Sequence, residues 1–557
     1  MQQEYRGVGG APGILIGRVF VYTPDLASAA SAPPADPDPV ADLARFEQAQ
    51  STAARNLEQL AERLQAAGHS NEAGILEAQA MFAEDPTLTE LVQAQLEAGQ
   101  SLAAAVQSGA TQMHATLAAL DDPYLSERAA DMLAVGKAIH AVLYPSVSPL
   151  HDLPPDTVIV APDLTPAETT ELYDRKLQVA FVTAHGGNTG HTAILARSLG
   201  LPAVVGVGDA VLQLANATPV IVNGNTHTVI VNPEPATLAA YQQQRTDQAA
   251  AQAHYATLRD LPGQFADGRC VGLWANIGRP ADAEQARAHG AEGIGLFRTE
   301  FLFLERTAAP SEDEQYAAYR ATLQIMAGRT VIIRTLDIGG DKPLPYLHVA
   351  PEANPFLGVR GLRLCMQHTD LFQAQLRAIL RAAQHGDVWI MLPMVALPSD
   401  IAWARSQLQQ AAATLQAQGV PHRADVPLGI MIETPAAAVT VDVLARESDF
   451  FSIGTNDLSQ YTLAVDRGQA ELSAHYPHDT LPVLRLIQQA VQAAQQAGKH
   501  IGVCGELGGV PAIAPLLAGM GVQELSMSPA LIPPMKARLR ELTYAEAHAA
   551  ALHALTG

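Results

Sequence analysis

Leu43, Phe46, Ala53, Leu57, Leu60 and Leu64 recur at alternating three- and four-residue spacing, and Gln50 is the one polar residue that breaks the seam. That spacing sets them on one face of a helix and marks a packing stripe. The surrounding stretch, 40–143, is rich in Ala, Gln, Leu and Glu and predicts a helical bundle. Two proline-rich segments, "SAPPADPDP" (31–39) and "YPSVSPLHDLPPD" (144–156), bracket it as linkers.

On either side of the bundle the pattern changes to short apolar runs closed by turn residues, the mark of strands. Residues 5–22 are strand-like and glycine-rich, but one or two strands cannot bury a core alone. Partners follow the bundle: "TVIVAPD" (157–163), "VAFVTA" (179–184), "PAVVGV" (202–207), "PVIVNG" (219–224) and "HTVIVNP" (227–233), with a helix over 191–199. The reading is one small α/β domain, 1–30 and 144–235, interrupted by a helical insertion, 31–143.

Residues 236–260 lack Gly and Pro and predict a linker helix. Strand candidates then recur eight times in 261–557: "CVGLWAN" (270–276), "GIGLFR" (293–298), "TVIIRTL" (330–336), "VWIMLPM" (388–394), "PLGIMIE" (427–433), "FFSIGT" (450–455), "HIGVCG" (500–505) and "VQELSMS" (522–528). That number in so long a segment predicts a C-terminal (β/α)8 TIM barrel, making the chain an α/β multidomain protein. Asn276, Arg298 with Glu300, Arg334 with Asp337, Glu433, Asn456 with Asp457, and Cys504 with Glu506 all fall at or just past a strand's C-terminal end. In this barrel those ends converge on one face, where active sites are built.

Composition narrows the chemistry. A formal charge of −22 over 557 residues argues against nonspecific nucleic-acid or anionic-membrane binding, so an anionic substrate needs a local arginine cluster. Three cysteines, Cys270, Cys365 and Cys504, form neither a disulfide framework nor a metal-ligand spacing. Together with the absence of a signal-like start and of any eighteen-residue apolar run, they predict a cytoplasmic protein without membrane insertion.

Glu433 in "IETPAAA" and Asp457 in "GTNDLSQYTLAVDR" suit a hard divalent ion such as Mg2+. Arg298, Arg334 and Arg467 add forked donors matched to phosphate and carboxylate oxygens, which implies a small phosphorylated carboxylic acid. Any one of them alone reads better as a surface ion pair; several beside a metal-type carboxylate pair reverse that reading. Cys504 is either a proton donor or acceptor at a strand end or a small buried hydrophobe. No G-x-x-x-x-G-K-[ST] stretch is present, so nucleotide-driven transfer has no P-loop.

His191 in "GGNTGHTAILARSLGLPAVVG" stands at a helix start, with Gly186, Gly187 and Gly190 beside it. A helix N-terminus stabilises a phosphoryl group on the ring, and the glycines give another molecule's phosphate close access. The arrangement suits a phosphohistidine intermediate. A histidine capping its own helix, or serving as a neutral metal ligand, stands beside that reading.

These motifs, with "GLFRTEFLF", "RTLDIGGDKPLPY", "NPFLGVRGLR" and "CGELGG", occur in one order along essentially the whole chain. The sequence resembles Enzyme I of the bacterial phosphoenolpyruvate:sugar phosphotransferase system. The resemblance implies that phosphoenolpyruvate binds in the barrel with Mg2+ and phosphorylates His191 on Nε2. The group then passes to a histidine of the phosphocarrier protein HPr, docked on the helical domain. By match to family motifs, Glu433 and Asp457 hold the metal, and Arg298, Arg334, Asn456, Asp457 and Arg467 form the substrate site with Lys342 and Arg360. Cys504 protonates the enolate carbon to release pyruvate, Thr169 fixes the tautomer of His191, and Arg197 lies near the phosphoryl group. The resemblance also implies a swivelling phosphohistidine domain and a homodimer formed through the barrel.

Four departures from the family pattern stand out: Gly190 replaces a usual Ser, His185 a common Asp, Gln79 a histidine on the carrier-binding face, and Val510 an Asp. Pyruvate phosphate dikinases and phosphoenolpyruvate synthases share the swivelling domain and the barrel, but the insertion of about 100 residues is too small for their nucleotide-binding domain. The other alternative is a regulatory paralogue that signals by its phosphorylation state; its mark, loss of a metal carboxylate, the arginines or Cys504, is absent.

Overall fold

A computed structural model describes the chain outside residues 1, 23–37, 67–69, 120–122, 145–149, 151–152, 165–177, 188–192, 194–195, 198–199, 305, 307, 340–343, 345, 348–351, 468, 470–471, 473–474 and 557. The chain forms two compact units, Met1–Ala249 and Ala250–Gly557.

The first unit contains an eight-stranded sheet. Its strands are β1 (Gln3–Arg6), β2 (Gly9–Ala11), β3 (Ile14–Val21), β4 (Thr157–Ala161), β5 (Val179–Thr183), β6 (Ala203–Val205), β7 (Pro219–Asn223) and β8 (Thr228–Val231), in the order β1-β8-β7-β3-β4-β5-β6-β2. The segment before the helical insertion thus supplies three strands rather than one or two, because Gly13, at φ +129°, ends β2 and lets β3 start in a new direction. β3 lies at the sheet's centre, antiparallel to β7 and parallel to β4. Every residue of β4 and β5 is buried, as expected of strands covered on both faces.

The insertion forms helices Pro39–Ala66, Ser70–Ala83, Pro86–Glu97, Leu102–Ala118 and Pro123–Leu143. Phe46, Ala53 and Leu57 of the seam are buried, and so is Gln50. Its side-chain oxygen accepts a hydrogen bond from Thr89 Oγ1 at 3.2 Å, so a polar residue sits within the packing stripe without interrupting it.

In the second unit β9 (Gly272–Ile277), β10 (Ile294–Arg298), β11 (Val331–Arg334), β12 (Val388–Leu392), β13 (Leu428–Ile432), β14 (Phe450–Ile453), β15 (His500–Val503) and β16 (Glu524–Met527) close into a parallel barrel. The α/β class and the eight-stranded barrel agree with the sequence reading. Leu296, Ile332, Met391, Met431, Phe450 and Cys504 pack together with Trp274 and Trp389 in one cluster, and a far larger apolar cluster joins the strands to the surrounding helices. Among the described residues no helix is long and apolar enough to cross a membrane.

Candidate active site

The C-terminal strand ends carry a single charged constellation. Arg298 and Arg334 are in register at the ends of β10 and β11, Glu433 follows β13, Asn456 and Asp457 open the helix Thr455–Leu463 after β14, and Cys504 follows β15. These six, with Arg360 and Arg467, line one cavity of about 500 Å³. Of the barrel residues expected at the substrate site, Lys342 alone lies outside the described residues.

Ion pairs run through the cavity wall as an alternating chain. Arg334 Nη2 is 2.9 Å from Glu300 Oε1, and its Nη1 is 3.1 Å from Asp337 Oδ2. Arg360 bridges Asp337 Oδ2 at 3.0 Å and Asp457 Oδ1 at 3.1 Å, and Arg467 Nη2 approaches Asp457 Oδ1 at 3.6 Å. Except for Arg467, all are buried. Buried charges survive only when each faces an opposite one and its remaining donors are satisfied. Arg334 and Arg360 are thereby held in fixed orientations, and Arg334 Nε is left as a buried donor with no hydrogen-bond partner among the described residues.

Glu433 differs from its neighbours. Its Oε1 accepts a hydrogen bond from the Met394 amide at 2.5 Å, while Oε2 is buried and has no hydrogen-bond partner among the described residues. Burial, then the negative Asp337 and Asp457, pushes its carboxyl up to about 8. Asp337, Glu433 and Asp457 each offer an oxygen within 4.8 Å of the others. Three buried carboxylates, one with an orphaned oxygen, fit a hard cation bound through oxygen. Asp337 and Glu300 were visible in the sequence as strand-end residues, but no role in the site followed from that position.

Around Cys504 the backbone is pinned: Asn276 Nδ2 donates to its carbonyl at 2.9 Å, and Asn456 and Glu506 exchange two hydrogen bonds at 3.0 Å. Burial pushes the Cys504 thiol up to about 12, so it stays protonated and can act as an acid toward a carbanion.

In the first unit His191, Thr169 and Gly190 lie outside the described residues. Nearby, Gly186 has φ +95°, and a Cβ at Gly187 would meet no atom of the described residues within 4 Å. Arg197 is exposed and donates from Nη1 to the Gly10 carbonyl at 2.9 Å; His185 Nε2 lies 3.3 Å from Asp209 Oδ1 at the surface. Gln79 is not on an open face: it is buried, and its Nε2 donates to Asp131 Oδ1 at 2.8 Å. Val510 is exposed.

Three family descriptions match this chain: "PEP-utilising enzyme, N-terminal" over residues 6–128, "PEP-utilising enzyme, mobile domain" over 153–227, and "PEP-utilising enzyme, PEP-binding domain" over 252–544. Relatives match over nearly the full length. The phosphoenolpyruvate-protein phosphotransferases of Bacillus sp. (strain S) and Geobacillus stearothermophilus are each 41% identical, covering 98% of this chain and 94% of theirs. That of Bacillus subtilis (strain 168) is 38% identical, covering 98% and 95%.

Proposed function

Since the chain belongs to the phosphoenolpyruvate-protein phosphotransferase family, we propose that it moves the phosphoryl group of phosphoenolpyruvate to its own His191, and from there to a histidine of HPr, releasing pyruvate. The observation that carries this reading is the barrel cavity, where buried arginines and three clustered carboxylates face the same space.

In this reading Arg298, Arg334 and Arg467 grip the phosphate and carboxylate of phosphoenolpyruvate, Asn456 orients it, and Lys342 and Arg360 assist. Glu433 and Asp457, with Asp337 beside them, hold Mg2+, which when bound supplies positive charge against the substrate's oxygens. His191 Nε2 attacks phosphorus as the bond to the enolate oxygen breaks. Cys504 gives its S–H proton to the enolate carbon, and pyruvate forms. Thr169 holds the other ring nitrogen of His191, and Arg197 stands near the phosphoryl group.

The division of labour follows from one histidine serving two partners. A phosphohistidine domain (1–30 and 144–235) swivels between the barrel (261–557), at the end of the linker helix 236–260, and HPr on the helical domain (31–143). The enzyme works in the cytoplasm as a homodimer joined through the barrel. Incubation with labelled phosphoenolpyruvate and Mg2+, quenched at alkaline pH, tests the reading. The wild type takes up acid-labile label and His191→Ala takes up none; label persisting on the variant overturns it.

A further inference from the structure

Asp457 and Tyr461 stand four residues apart on the helix Thr455–Leu463, so their side chains share one face, a turn apart. Both reach Arg360. The arginine Nη1 donates to Asp457 Oδ1 at 3.1 Å and to the Tyr461 hydroxyl at 3.3 Å, while Nη2 and Nε donate to Asp337 at 3.0 and 3.3 Å. A phenol carries one proton, and Tyr461 gives it to the Phe356 carbonyl. Met394 Sδ, at 4.0 Å, is too weak an acceptor to compete. The oxygen's lone pairs are left for the guanidinium, which can only donate.

These two contacts join separate parts of the cavity wall. Asn456 and Asp457 come from the helix that opens directly after β14, whereas Phe356 and Arg360 come from 352–360, a segment outside the strands. That segment is closed on itself: both Glu352 carboxylate oxygens accept from the Val359 amide at 3.0 Å, in the room where a Cβ at Gly358 would stand 2.0 Å from Oε2. Just past Arg360, Gly361, at φ +56°, donates its amide proton to the Ile338 carbonyl at 3.1 Å. Between those ends, Tyr461 ties the segment's middle to the helix. A phenylalanine ring would fill the same half-buried space, so packing alone does not call for the hydroxyl.

We propose that Tyr461 is a positioning residue for phosphoenolpyruvate: one hydroxyl fastens Arg360 and the 352–360 segment to the helix of Asn456 and Asp457, so substrate meets a wall already assembled. This rests on the reading that phosphoenolpyruvate binds in the barrel cavity. Tyr461 is not among the residues lining that cavity and acts through Arg360 and Phe356, which are. Without the hydroxyl, Arg360 keeps its two carboxylates, but the segment around Phe356 is released from the helix and substrate binding must order it. That ordering weakens the ground state and the transition state alike. The loss therefore falls on KM and spares kcat.

Tyr461→Phe removes both hydrogen bonds and keeps the ring. In steady-state assays with labelled phosphoenolpyruvate, Mg2+ and HPr as acceptor, its KM for phosphoenolpyruvate rises about tenfold, the scale of a lost hydrogen bond, while kcat stays within about twofold of wild type. Amide exchange followed by mass spectrometry without substrate accelerates in 352–360 and is unchanged in β13 and β14. An unchanged KM overturns the assignment, as does a kcat that falls as far as KM rises, or exchange that accelerates throughout the barrel. Labelling of the wild type reports separately: its absence removes phosphoenolpyruvate from the cavity, whereas a wild type that labels beside a variant of unchanged KM removes Tyr461 alone.

Discussion

In the barrel, a Cβ at Gly505 would stand 2.0 Å from Thr455 Oγ1 and 2.4 Å from the Thr455 amide; in the N-terminal unit, a Cβ at Gly187 would meet nothing among the described residues within 4 Å. Both glycines adjoin residues read as chemical, Cys504 and the His191 segment. One is required by close packing, and the other has room for a side chain among the described residues. The barrel holds charged groups against one another before substrate arrives, which is how preorganised sites lower reorganisation during reaction. Gly187, by contrast, lies beside the segment that carries His191 and has open space around it among the described residues, which suits the proposed transfer to more than one partner.

Removing a buried cation attacks the preorganised side hardest. In Arg360→Met, Asp337 and Asp457 lose their shared counter-ion beside the already crowded Glu433. Unfolding free energy at pH 7 falls by about 3–5 kcal/mol, the usual effect of stranding buried charge. Phosphorylation by phosphoenolpyruvate falls with it. Denaturant titration measures the first effect, and a loss below about 1 kcal/mol would show that the network is not held as tightly as its distances suggest.

Gly505→Ala probes packing without touching charge. The added methyl must displace Thr455, at a cost of about 1–3 kcal/mol. It also shifts the turn carrying Cys504 and Glu506, so pyruvate formation slows by about a hundredfold, the effect of misplacing a reacting group by about 1 Å. Steady-state assay beside thermal melting checks both, and a wild-type rate in a destabilised protein would separate packing from catalysis.

The comparison also explains what the sequence made legible. Barrel strands were readable because each is a short apolar run and six of the eight carry polar residues at or just past their C-terminal ends, and the closed topology brings Arg298, Arg334, Glu433, Asp457 and Cys504 to one cavity. The alternating order of charges was not readable. That Arg360 joins Asp337 to Asp457 depends on bringing together residues 97 apart in the chain in one case and 23 in the other. The settings of Gln50, which breaks the apolar seam, and of Gln79, which replaces a usual histidine, were not readable for a similar reason: each is buried beside a partner from another helix, Thr89 or Asp131. Periodicity gives the face a residue occupies, but not whether a neighbouring helix supplies its hydrogen bond.

Glu433 gives a smaller, signed effect. Its folded carboxyl sits near 8, above the ordinary carboxylate value of 4.5, so between those values the folded state binds more protons than the unfolded state. Stability of the metal-free protein therefore falls as pH rises from about 5 to 8. Glu433→Gln removes that contribution and flattens the profile. Mg2+ stabilises the wild type increasingly over the same range, because it binds the ionised form, and has a much weaker effect on the variant. Denaturation midpoints at pH 5.5 and 8, with and without Mg2+, check this; equal slopes in both proteins would remove Glu433 from the metal site.

The smallest expected effect tests the open side of the comparison. Gly187→Ala adds a methyl that meets no atom of the described residues, at a position without positive φ, so stability stays within about 0.5 kcal/mol of wild type. A methyl that is harmless to the fold still intrudes on a partner that must come close. Phosphoryl transfer to HPr then slows by about fivefold, corresponding to about 1 kcal/mol of steric contact. Phosphorylation of His191 by phosphoenolpyruvate slows less if the barrel reaches the histidine from another side, and equally if both partners use the same approach. Measuring the two half-reactions on one preparation distinguishes these routes. Unchanged rates in both would mean that the space beside Gly187 is not the door through which either partner enters.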